Sequence, residues 1–247
     1  HDSERRQTAI KYVFGIIIVQ CGWLLFHFSP IHFTVYLFAL LVVTELSVPL
    51  IAEAKQRTPW HPHHIAERYS LLTIIVLGES IIGCFAAISD ALNNQLLSTE
   101  LIFLSIGGLV IMFTMWWAYF DHDVGDHLDS RKRAFVWGYG HFFIFVSIAA
   151  LGAGLAAAVD VVTHQAEISS FIVSYFIAIS LMIYTGSLWL LQEIHFLEGF
   201  KKWLYPISSV IVLCIPMLFQ HIGYAVFAVS IVYALRLIFS KCYLTKK

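Results

Sequence analysis

Charge is what this sequence most lacks. Asp, Glu, Lys and Arg make up 13% of its 247 residues, where a soluble chain carries about a quarter. The net charge is −1, and no block of basic residues breaks the pattern, which argues against nucleic acid as a partner. Cysteines are few and unpatterned. Cys21, Cys84 and Cys214 fall in apolar runs and Cys242 in the C-terminal tail. Without CxxC spacing they are expected to pack as small apolar side chains, neither pairing nor holding a metal. The GxGxxG and GKS/T phosphate loops are missing, as is the GxSxG nucleophile elbow. The first apolar run is not expected to be a signal peptide, because it is too long and has no small-residue cleavage site. The chain opens on His1 rather than Met, so the sequence is expected to be an N-terminally incomplete piece of a longer one.

What remains is apolar. Hydrophobic residues account for 59% of the chain and the mean hydropathy is +0.78, more apolar surface than a water-soluble domain can bury. A spanning helix needs about 20 mostly apolar residues. Such runs lie near 9–28, 32–52, 67–89, 99–120, 134–158, 168–192, 203–220 and 222–240. The reading is an all-α, polytopic transmembrane bundle of about eight spans, forming a single membrane domain over 1–247. The last two runs are separated only by Gln220, His221 and Gly223, and Pro206 and Pro216 interrupt the seventh, which predicts a kink or half-helix there.

The basic residues give an orientation. Arg5, Arg6 and Lys11 precede the first span; Lys55, Arg57 and Arg68, then Arg131, Lys132 and Arg133, then Lys201 and Lys202 mark alternate loops. Arg236, Lys241, Lys246 and Lys247 close the chain, while the loops near 29–32, 90–99, 159–167 and 220–223 hold no Lys or Arg. By the positive-inside rule both ends of this chain are cytoplasmic. Trp60, Trp116, Trp117, Trp137, Trp189 and Trp203 sit near those same ends, as interfacial anchors would, and only Trp23 falls toward the other side.

Ionisable groups inside spans are expensive and are functional candidates by default. Glu79, in TIIVLGESIIG, lies about 16 Å past Arg68 at a rise of 1.5 Å per residue, near mid-bilayer. Gly83 and Ala86 follow it on the same face, a pattern suited to a protonatable or cation-binding site or to close helix packing. Glu45 lies in the second span, where Pro49 frees its carbonyl, and His141 sits at similar depth in the fifth. Glu79, Glu45 and His141 together are expected to line an ion or proton pathway; the bland alternative is a set of satisfied core groups. Glu67 and Arg68 open the third span and could pair with Asp121 or Asp123 as an ion-pair latch. His61, His63, His64, Asp123 and His127 are weak metal candidates, since imidazole and carboxylate are Zn²⁺ ligands but their spacing fits no metalloenzyme motif. The glycines Gly138, Gly140, Gly152 and Gly154 suggest tight packing of one helix.

HIAERYSLLTIIVLGESI at 64–81 resembles the signature of the bacterial low temperature requirement A family. The likeness extends to the Glu45–Pro49 helix, to WWAYFD at 116–121 and to the His141 helix with its LGAG. Members are typically longer, with further N-terminal spans carrying an ELFFDLVF-like motif. The resemblance implies a bacterial cytoplasmic-membrane protein with Glu67, Arg68, Glu79, Asp121 and His141 at motif positions, and it implies no catalytic residue. Three function classes are compatible with these features: binding or transport of an ion or small solute, a lipid-acting metal-dependent hydrolase in the membrane, and a non-catalytic scaffold. The sequence names no cofactor; haem would need paired deep histidines, and only His141 is deep. Beyond the lipid bilayer and such a solute, a homo-oligomer is compatible with the sequence.

Overall fold

The computed structural model describes residues 3–54 and 61–242, so the expectations resting on Lys55, Arg57, Trp60, Lys246 and Lys247 lie outside the described residues. Among the described residues, eight helices are long and apolar enough to cross a membrane. They are α1 (Ser3–Phe26), α2 (Thr34–Ala52), α3 (Pro62–Asn93) and α4 (Thr99–Tyr119), followed by α5 (Arg131–Val162), α6 (Ser170–Phe196), α7 (Leu204–Leu218) and α8 (Ile222–Cys242). Each overlaps one of the expected runs. No strand occurs among the described residues, as expected where backbone N–H and C=O groups must be satisfied within the segment that carries them.

The chain divides into two compact units, His1–His61 and Pro62–Lys247. The first is the α1–α2 hairpin. It closes where Gly15 and Gly22 leave no room for side chains, since a Cβ on Gly15 would sit 2.7 Å from Val48 Cγ1. Trp23 packs edge-on against Phe26 and Phe38 at 5.7 and 5.6 Å.

The second unit runs from α3 to α8, and its strongest pairings are α4 with α8, α3 with α5, α5 with α6, α6 with α7, and α7 with α8. Ala66, Thr73, Leu77, Ser80 and Ala91 form the buried stripe of α3, with the spacings that a helix face requires. The four glycines of α5 are packing sites, as the sequence suggested. Cβ atoms there would meet Tyr69 at Gly138, Leu191 at Gly140, Ser80 at Gly152 and Ile177 at Gly154. Small residues thus bring α3 and α6 against different sides of α5. At Gly152 the approach is close enough for Ser80 Oγ to donate to the Ile148 carbonyl at 3.2 Å.

Helix ends are fixed by side chains. Ser98 and Ser130 accept from the backbone N–H groups of Leu101 and Arg133, capping α4 and α5. Glu100 reaches across to the start of α8, accepting from the Gly223 N–H at 3.1 Å and meeting His221 Nδ1 at 3.1 Å. This carboxylate at a helix N-terminus sets the short turn between α7 and α8. In α7, Pro206 occupies the first turn, where its missing N–H is no loss, and Pro216 lies in the last turn.

Replacing Gly152 with Ala is expected to cost about 1–3 kcal/mol through overpacking against Ser80. The readout is unfolding in detergent. Gly83→Ala serves as control, because nothing lies within 4 Å of a Cβ at Gly83.

Candidate functional site

Two polar centres lie inside the second unit. The first surrounds His141, which is fully buried on α5. Its Nδ1 lies 2.7 Å from the Trp137 carbonyl and its Nε2 2.8 Å from the Tyr119 hydroxyl. A carbonyl only accepts, so Nδ1 carries the proton and Nε2 accepts from Tyr119. The rings of Trp137, Tyr69 and Phe145 enclose the imidazole at 3.9, 5.0 and 5.6 Å. Both nitrogens are therefore used and the tautomer is fixed. Trp137, expected at the membrane interface as an anchor, is instead buried as part of this aromatic cage, with 3% exposure.

The second centre gathers where α4, α6 and α8 end and α7 begins. Residues Trp189–Glu193 of α6 form a π turn. Gln192 and Glu193, the last two residues of this turn, are both buried, each at 1% exposure. Just past α4, His122 Nε2 stands 3.4 Å from Glu193 Oε2 and 3.7 Å from Asp121 Oδ2. His122 also stacks flat on Phe196 at 4.4 Å, and His127 lies against the same ring at 4.4 Å.

Arg236 of α8 enters this centre from the other side. It marks orientation in the sequence, yet it is 4% exposed. Its guanidinium carbon lies 4.4 Å from the ring centre of Tyr205 and 4.3 Å from that of Tyr233, cation–π contacts that gain strength when desolvated. Nη1 donates to Thr185 Oγ1 at 3.3 Å, and Tyr233 donates to the Leu181 carbonyl at 3.0 Å. The Tyr205 hydroxyl in turn faces the Glu193 carboxylate. This centre is not closed. Glu193 Oε1, Gln192 Oε1, His122 Nε2, and Arg236 Nε and Nη2 are buried without a hydrogen-bond partner.

The residues singled out from the sequence are distributed differently. Glu79 lies on the uncovered side of α3, exposed between Gly78 and the buried Ser80. Glu45 belongs to the first unit, where its Oε2 accepts from Trp23 Nε1 at 2.9 Å beside a cleft lined by Tyr12, Gln20 and Pro49. Glu67 and Arg68 are exposed, and Glu67 has His64 of its own helix at 3.5 Å. The start of α3 is tied to the α4–α5 loop by other residues, His63 to Asp126 at 3.2 Å. Asp123 folds onto its own loop, its Oδ1 accepting from the Gly125 N–H at 3.0 Å. His61 is exposed just before α3. Among the described residues no three His, Cys, Asp or Glu side chains gather as a metal site. The sequence signal for Glu193 was a carboxylate at the end of an apolar run, and for Arg236 a lone cation a turn or more inside the last span.

Eight apolar helices, a small-residue packing seam and ionisable groups held among them define a multi-pass helical membrane protein. The chain belongs to the bacterial low temperature requirement A protein (LtrA) family, whose profile matches residues 1–240. No curated protein and no solved structure matches it.

Tyr119→Phe would leave His141 Nε2 buried without a donor. A loss of about 1–3 kcal/mol in stability is expected, read by unfolding in detergent.

Proposed function

We propose that the protein binds or moves an ion or small solute through its membrane bundle, with Glu193 and Arg236 at the binding centre. One observation carries this reading. A guanidinium and a carboxylate are both withdrawn from solvent, and neither has its hydrogen bonds filled. Buried charges are costly unless paired and hydrogen-bonded. His141, by contrast, has a partner for each of its two ring nitrogens. Unfilled groups between charged ones are what a site for a passing or bound solute requires. His122 and Asp121 provide the way in from the helix ends, and the π turn supplies the inward-facing acceptors.

Glu79 is the second protonatable group of this reading. An ionised carboxylate on an uncovered apolar face in mid-span is strongly disfavoured, so it is protonated or covered by another membrane element. His141 belongs to the proposed pathway as its buried polar position, and Glu67, Arg68 and Asp121 to its mouth. The pattern of basic residues supports a bacterial cytoplasmic membrane with both ends of the chain cytoplasmic.

Proton, cation and small-anion flux into liposomes containing the full chain tests the reading. Glu193→Gln is expected to lower flux by about tenfold or more, a change of about 1.4 kcal/mol; undiminished flux in well-folded Glu193→Gln would sink it. A separate measurement addresses Glu79. An apolar carbodiimide, which reacts with protonated carboxyl groups, is expected to label it in the bilayer, with the label lost in Glu79→Gln. An unlabelled Glu79 would mean that it is ionised or covered there.

A further inference from the structure

The unfilled atoms of Arg236 are not scattered. Nη1, the nitrogen on the Cδ side of the guanidinium, is taken by Thr185. The two without partners are Nε and Nη2, which share the remaining side of the plane and present parallel N–H bonds. That edge is the one that grips two oxygens of a planar anion at once. The ring faces of Tyr205 and Tyr233 hold the guanidinium and leave the edge free to point within its own plane. Tyr205 meets both Arg236 and Glu193, and the unfilled Glu193 Oε1 and Gln192 Oε1 are acceptors that do not repeat the cation.

We infer that this edge is a binding site for a small planar oxyanion, a short carboxylate or bicarbonate, and that Glu193 and Gln192 take the O–H or N–H of the solute where it carries one. The inference rests on the reading of the Glu193–Arg236 centre as a solute site and gives that site its ligand class. A chloride ion has no second atom to match the fork, and a bare metal cation would be repelled by Arg236. Burial of the edge limits the solute to a few heavy atoms, and Tyr205, which meets both Arg236 and Glu193, stands where it would report or gate occupancy.

The test is binding, not flux. Full-length protein in detergent is titrated with formate in carbon-dioxide-depleted buffer, with bicarbonate, and with chloride, by calorimetry. Formate or bicarbonate is expected to bind and chloride not, and the tighter of the two names the solute. Arg236→Lys, which keeps the charge but loses the fork, is expected to weaken binding at least tenfold. Should Arg236→Lys fail to fold, isotope-edited infrared of ¹³C-formate on the unaltered protein replaces it: the carboxylate stretches are expected to move from their free positions to those of a two-point guanidinium complex. Equal binding of chloride, binding unchanged in folded Arg236→Lys, or free-solution stretches at saturating protein would each overturn the assignment. Flux of a cation with no oxyanion binding would overturn the ligand class and leave the transport reading standing. Oxyanion binding without flux of any solute would keep the ligand class and reduce the transport reading to binding alone.

Discussion

Inside a bilayer a polar group has no water to fall back on, and that constraint organises this molecule. Backbone groups meet it by forming helices, and serine and threonine side chains meet it by turning back on their own helix, as Thr73 does to Tyr69 and Ser180 to Phe176. His141 meets it with one partner for each nitrogen. Glu100 meets it by capping a neighbouring helix. Against that background the centre around Arg236 and Glu193 stands out, because five of its buried polar atoms lack a hydrogen-bond partner.

The exception has a local cause. α6 inserts one residue too many between Leu188 and Ile194, and the π turn points two adjacent polar side chains to the same side. The cost of the irregular turn is borne where the helix meets the polar end of the bundle, and what it yields is a pair of inward acceptors opposite a cation. Tyr184, buried and donating to the Met115 carbonyl at 2.7 Å, fastens α6 to α4 a few residues before the turn. The bend therefore falls on a segment already held in place.

The glycines carry a complementary lesson. Gly107 admits the backbone of Phe227, and Gly152 admits Ser80. In lipid, helices gain little from hiding apolar surface against one another, so close contact is what holds them. Gly78 and Gly83 face open space instead, which leaves the Glu79 side of α3 uncovered within its unit.

Composition and spacing alone determined the helical class, the eight spans and the polar ends, because a span is set by length and hydropathy along the chain. The packing role of the α5 glycines was legible for the same reason: four small residues on one helix have few other uses. Depth was legible too, and it singled out Glu79, Glu45 and His141. What depth does not encode is which way a side chain faces relative to helices far away in sequence. Only tertiary structure put Glu79 on an open face, closed His141 between Tyr119 and Trp137, and buried Arg236 against Tyr205 and Tyr233. The meeting of Arg236 with Glu193 depends on a π turn and on several helix pairings at once. No local pattern specifies such a meeting, since each residue's rotation about its own helix is fixed only when its neighbours are in place.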